Sequence, residues 1–311
     1  MSNYVILADV TCDLSAEIRA EIGMEDYIKG HVQFDDGREI LSALEWDTVS
    51  REDFYKALSN KKSKVSTAPP NVEEYYAAFE KYIKEGTAVI SISLSSKISS
   101  TYEFACMAAD RLRGVYPEAR IACVDSFRMS GGFGLLTLYA HLWKREGKSF
   151  EEVVSLLEET KHRIHQMGPI DDLFFIARRG RITMGKAIMG SFAGVKPMGD
   201  CNSDGYTSIL TKVKGMGKAL DVTVRYVEET ATDIGEQILI VSHSNRELYA
   251  KTLKEKLETE LKPKKVYLSD VFCGCGANIG PGMVGVYYLG EPVSEELTRE
   301  KTVMNHITGK A

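Results

Sequence analysis

A dense run of hydroxyl side chains occupies Ser93, Ser95, Ser96, Ser99, Ser100 and Thr101. It follows an apolar run (Ala88, Val89, Ile90, Ile92) and precedes Tyr102, Ala105, Ala109 and Leu112 at helical spacing. A strand end, a hydroxyl-rich turn and a helix start with free N–H groups together make a seat for an anion, a carboxylate or a phosphate. Ser100 and Glu103 stand in the S-x-x-E relation of a capping box. Serine also fills turns and caps helices where no ligand binds, so the stretch by itself supports both readings.

The elements around this turn repeat one arrangement. Tyr4–Ala8 reads as a buried strand ending at Asp9, Thr11 and Asp13, before a helical segment from Ser15 to Ile22. Arg120 to Val124 is another buried run, ending at Asp125-Ser126 and followed by Gly131, Gly132 and Gly134 and a helix through Arg145. Three strands near Val5, Val89 and Ile121 separated by helices imply a mainly parallel, Rossmann-like sheet. Ligands of such sheets sit outside the carboxyl ends of the strands, so the three polar clusters should converge.

Between them, Tyr27 to Phe34 closes on the turn signal Asp35-Asp36-Gly37. Ser50 to Leu58 reads as helix, and Ser66-Thr67-Ala68-Pro69-Pro70 as a rigid polar loop. Asn71 with Glu74 and Ser149 with Glu152 mark two further capping boxes, the second helix running to about His165. His162 and His165 then read as a solvated helix face, since no ligand set for a metal accompanies them.

Gly168-Pro169 marks the expected division into an N-terminal Rossmann-like domain, 1–168, and a C-terminal α/β or α+β domain, 169–311. The second part reads as a strand over Asp172 to Ala177, the basic Arg178-Arg179-Gly180-Arg181, a helix containing Ile188, Met189 and Phe192, and strands near Val195 and over Tyr206 to Val213. The helix Gly217 to Glu229, the strand Gln237 to Val241, the helix Leu248 to Leu261 and the strand Val266 to Val271 follow. A glycine loop over Gly274 to Gly282 leads to a last strand, Met283 to Leu289.

At 311 residues, 44% hydrophobic and 27% charged, the chain has the composition of an ordinary globular protein with a substantial core. A net charge of -5 gives no general attraction to nucleic acid or anionic lipid. No signal-like or membrane-spanning segment is visible, which reads as a cytoplasmic protein whose membrane contact is at most transient. Six scattered cysteines suggest neither a disulfide framework nor, in Cys273-x-Cys275, a zinc site.

Gly180 to Ala187 matches the phosphate-loop pattern except that Ala187 replaces the hydroxyl that holds magnesium, and reads as a chance match. A serine hydrolase would need His243 and an Asp brought to Ser99 by the fold.

Asp9-Val10-Thr11-Cys12-Asp13, Ser66-Thr67-Ala68-Pro69, Leu94 through Tyr102, Arg179-Gly180-Arg181, Lys212 through Gly215 and Ile279-Gly280-Pro281-Gly282 together resemble the DegV family of fatty-acid-binding proteins over nearly the whole chain. The resemblance implies two α/β domains holding a long-chain fatty acid in a buried pocket, its carboxylate presented to a partner fatty acid kinase, with no cofactor and no chemistry by the chain itself. The family fold is similar to that of dihydroxyacetone kinase subunits, so a small-molecule kinase-related or hydrolytic enzyme is one alternative, and a binding protein for another small carboxylate a second.

Carried over by position, the family's T-S-Q-P falls on Ser66 to Pro69 and its L-S-G-T-Y on Ile98 to Tyr102. Ser66 and Ser99 thereby become carboxylate ligands, with Thr67, Ser95, Ser96 and Thr101 as further pocket hydroxyls. The T-H-x-G-P-G motif falls on Ala277 to Gly282, where Asn278 stands in the usual histidine place and donates a neutral hydrogen bond instead of a charged one. Ile188, Met189 and Phe192 are candidate acyl-pocket residues, and Arg181 a candidate contact for the kinase or its phosphates.

Overall fold

The computed structural model describes residues 3–60, 64–182 and 194–310. The candidate acyl-pocket residues Ile188, Met189 and Phe192 lie outside them.

The expected parallel sheet is present. β1 (Tyr4–Ala8), β5 (Ala88–Ser93) and β6 (Ile121–Asp125) pair in parallel in the order β1-β5-β6. Every residue of β5 is buried, which its unbroken apolar and small composition permits. α3 (Val72–Ile83) and α4 (Thr101–Val115) pack against each other beside it, α4 burying Ala105, Ala108, Ala109 and Leu112. α3 begins with the expected Asn71–Glu74 capping box and α6 (Phe150–Thr160) with that of Ser149 and Glu152.

A second sheet, ordered β11-β10-β12-β7, joins β10 (Ile238–His243) and β11 (Lys265–Asp270) in parallel, with β12 (Val284–Leu289) and β7 (Ile164–Met167) antiparallel at its other side. α8 (Met216–Thr230) and α9 (Glu247–Glu260) bury apolar faces in its core. Two smaller antiparallel pieces complete the described strands. β2 (His31–Gln33) lies between β3 (Glu39–Leu41) and β4 (Ser66–Ala68), while β8 (Val195–Cys201) pairs with β9 (Thr207–Lys214).

α5 (Ser130–Arg145) joins the two main sheets. One core contains Ile6 and Ile92 of the first sheet, Phe133 and Leu136 of α5, and Ile240 and Tyr287 of the second. The glycines at its start allow this approach. A Cβ at Gly134 would stand 2.3 Å from the carbonyl oxygen of Cys12, and one at Gly131 2.4 Å from the ring of Tyr287.

Four local expectations differ from the structure. Residues expected as a strand from Asp172 form instead a short helix, α7 (Leu173–Arg178), whose first turn is capped by Asp172 accepting from Phe175 N. The glycine loop forms α10 (Cys273–Ile279), because its glycines serve packing: a Cβ at Gly276 would stand 2.8 Å from the Tyr55 hydroxyl. Ser100 makes no side-chain cap on α4. The expected helix to His165 ends at Thr160, and only His162 is exposed; His165 is buried in β7, sharing a hydrogen bond of 2.6 Å with Asp200.

Close approach makes a stability prediction. A Cβ at Gly168 would meet the carbonyl oxygen of Val284 at 2.0 Å, whereas one at Gly114 in α4 meets nothing within 4 Å. Gly168→Ala should therefore destabilise the protein by about 2 kcal/mol or more in urea unfolding, as over-packing does. Gly114→Ala should be neutral or stabilising by up to about 1 kcal/mol, the helix-propensity difference.

Candidate functional site

A cleft enclosing about 1180 Å³, its open mouth included, is bounded by β4 and α10 on one side, by the turn between β5 and α4, and by β7, β9 and β12 on another side. Thr67, Ser99, Thr101, Asn278 and Arg181 line it. Asn278 Nδ2 donates to Thr67 Oγ1 at 2.9 Å, so β4 and α10 meet through a polar pair on the cleft wall. At the start of α4, Ser99 Oγ and Thr101 Oγ1 lie 2.6 Å apart and Thr101 is buried. Arg181 is exposed and its guanidinium donates to the carbonyl of Arg179, while the guanidinium of Arg179 donates to Val65 O at 2.7 Å.

Ser66, expected as a carboxylate ligand, is exposed and is not part of the cleft wall. The reason is strand alternation. Thr67 pairs across from buried Val32 and shares its face, and Ser66, opposite Gln33, shares the other. Buried Val65 two residues before Thr67 was the signal in the sequence. Ser95 and Ser96 also fall outside the cleft wall. The Ser95 hydroxyl is spent on the carbonyl of Gly205 at 3.1 Å, and Ser96 N donates to Asp125.

The turn that carries Ser99 is aimed by two buried carboxylates that motif spacing did not single out as supports. Asp9 accepts from Thr11 N at 2.9 Å on one oxygen and from Leu94 N at 2.9 Å on the other, tying the end of β1 to the end of β5. Burial pushes its carboxyl above the ordinary range, against the pull of those hydrogen bonds. Asp125 braces the same turn from β6, accepting from Ser96 N and from Phe127 N at 3.0 Å. Gln166 and Thr207, both on the cleft wall, were not anticipated either.

Asp13, one turn beyond Asp9, is completely buried with φ of 49°. It accepts from Ser130 Oγ at 2.6 Å and from Phe272 N at 2.9 Å, and its carbonyl accepts from Ser269 Oγ. One residue thus fixes the starts of α5 and α10 to the loop after β1. Burial pushes its carboxyl up to about 8.

His243, which a hydrolase would need at Ser99, is buried instead with its Nε2 3.5 Å from Asp270 and is not part of the cleft wall. Among the described residues no group of three His, Cys, Asp or Glu side chains is placed to hold a metal ion. All six cysteines are free, and Cys275 Sγ donates to the carbonyl of Thr11 at 3.3 Å. No described helix is long and apolar enough to cross a membrane.

Comparison with known proteins identifies the family. The sequence model described as "Uncharacterised protein, DegV family" matches residues 3–291. The chain belongs to the DegV family. A DegV domain-containing protein of Clostridium perfringens is 30% identical over 294 residues, covering 94% of this chain and 99% of the relative. Among solved structures, the chain is similar to a DegV family protein of Thermus thermophilus described for its fatty acid binding, with TM-score 0.82, 22% identity, and 93% and 99% of the two chains covered. It is also similar to the Fatty Acid Kinase (Fak) B3 protein of Streptococcus pneumoniae loaded with linoleic acid, with TM-score 0.78, 16% identity, and 94% and 100% covered. In this DegV protein the motif positions Ser99 and Asn278 face one cleft.

The raised Asp13 gives a pH signature. An acid whose folded value lies above its unfolded one binds its proton more tightly in the native state, so its contribution to stability falls as pH rises. The window runs from the ordinary carboxylate value of 3.8 to about 8. Asn tolerates the left-handed backbone at this position. Urea unfolding of Asp13→Asn should show a stability advantage over the wild-type chain that grows from pH 5 to pH 8; parallel profiles would contradict the assignment.

Proposed function

We propose that the cleft binds a long-chain fatty acid, with its carboxylate on Ser99, Thr67 and Asn278 and its chain along the apolar wall. The observation that carries this is the pairing of a small hydroxyl and amide cluster with a mainly apolar cleft, in a chain of a family whose solved structures include proteins described as binding fatty acids. Burying an acyl chain yields about 0.8 kcal/mol per methylene, on the order of 10 kcal/mol gross for a common fatty acid. A few neutral donors then suffice to orient the head. Asn278 donates a hydrogen bond to the carboxylate but brings none of the positive charge that an imidazolium would add.

The chain acts as a carrier in the cytoplasm, without a cofactor, and a partner kinase phosphorylates the acid it presents. Similarity to a protein named for its fatty acid kinase supports the partner. So does Arg181, an exposed guanidinium at the cleft suited to bidentate phosphate contact. Among the described residues no base stands on Ser99, whose oxygen meets Thr101 instead, and this favours the carrier over a hydrolase.

Direct titration with a long-chain fatty acid tests the site. Ser99→Ala and Thr67→Val should each weaken binding about tenfold or more, the loss of one hydrogen bond to a charged acceptor. Ser66→Ala should leave affinity unchanged. Equal affinity in all three variants, or a loss at Ser66 alone, would contradict the assignment.

A further inference from the structure

Resting on the fatty-acid reading, we propose that the preferred ligand is a hydroxy fatty acid, whose mid-chain hydroxyl is read by Gln166. A plain fatty acid has one polar end, yet the cleft wall carries polar groups beyond the proposed head-binding cluster, and two polar sets matter here. The first is Thr67 with Asn278, beside Ser99 and Thr101. The second lies on the wall made by β7, β9 and β12.

Gln166 of β7 pairs directly opposite Tyr287 of β12, so both side chains leave the same face of the sheet, and both residues line the cleft. The backbone N–H of Gln166 donates to Asp200 Oδ1 at 2.8 Å. Its side-chain Nε2 donates to Thr207 Oγ1, also at 2.8 Å, and Thr207 in turn donates to Met129 Sδ at 3.7 Å. The amide is therefore held by a residue that is itself oriented.

Its carbonyl oxygen accepts no hydrogen bond among the described residues and is not one of the enclosed, unpartnered polar atoms. Gln166 is a cleft-wall residue, and in the proposed reading this oxygen lies on the cleft side. Met129, Ile182 and Tyr287 line the same cleft and offer apolar surface. A saturated chain lying there would strip water from this oxygen and give nothing back, whereas a chain hydroxyl would donate to it. The same logic makes a site built to bond a hydroxyl discriminate against the analogue that lacks one.

The test compares stearic acid with monohydroxystearic acids bearing the hydroxyl at successive mid-chain carbons, by direct titration of the purified full chain. At least one isomer should bind about fivefold more tightly than stearic acid, the worth of one net hydrogen bond. Gln166→Leu should remove that preference and tighten stearic acid, with a thermal melt confirming that the variant is folded. The wild-type comparison needs no variant. If stearic acid binds and no isomer exceeds it, or if the preference survives Gln166→Leu, this inference is overturned while the fatty-acid reading stands. If neither class binds, both fall together.

Discussion

The cleft depends on a buried carboxylate, Asp13, more than on any residue expected to touch a ligand. Its two oxygens hold the start of α5 through Ser130 and the start of α10 through Phe272, and its carbonyl holds Ser269 at the end of β11. Elements distant in the chain thereby share one anchor. α10 carries Asn278 to Thr67, and Asp9, on the same loop, reaches across to Leu94 at the turn that carries Ser99. Both halves of the proposed head-binding cluster are hung from the loop after β1. The anchor is costly, because a carboxylate without a cation in an apolar surround is held as its neutral acid. That its hydrogen bonds come from a hydroxyl and a backbone N–H, and among the described residues from no arginine or lysine, leaves the cost in place and makes it visible as a pH dependence.

In the proposed reading, the cleft walls divide the work of recognition. Affinity for an acyl chain comes from area and is nearly blind to pattern. Selectivity comes from the few polar groups and from whether each finds a partner. Ser95, Ser96 and Asp125 belong to neither function; their hydrogen bonds hold the turn between β5 and α4, including its contact with Gly205. A hydroxyl-rich loop is here mostly scaffold, with Ser99 and Thr101 left to face the cleft.

Much of this was legible in the sequence, and the exceptions have physical causes. The three parallel strands followed from apolar runs spaced by helices, and the capping boxes at Asn71 and Ser149 from a local pattern of two residues, Asn or Ser with Glu three positions on. Local signals failed where distant packing decided. The β-prone LFFIAR segment turned helical because Asp172 caps it and Leu173 and Ile176 bury on one side. The glycines of α10 read as a loop, yet their missing side chains admit Tyr55, Phe54 and Ser42 against a helix. Ser66 was favoured over Thr67 by motif position, whereas the buried Val65 beside them already fixed which hydroxyl faces inward. His165 was placed on a solvated face because its partner Asp200 lies far along the chain.

The most direct measurement of the central claim is native mass spectrometry of the protein purified without added lipid. The account predicts a one-to-one adduct with the mass of a long-chain fatty acid or its hydroxylated form, released on denaturation. A bare chain that also fails to take up added fatty acid would contradict it.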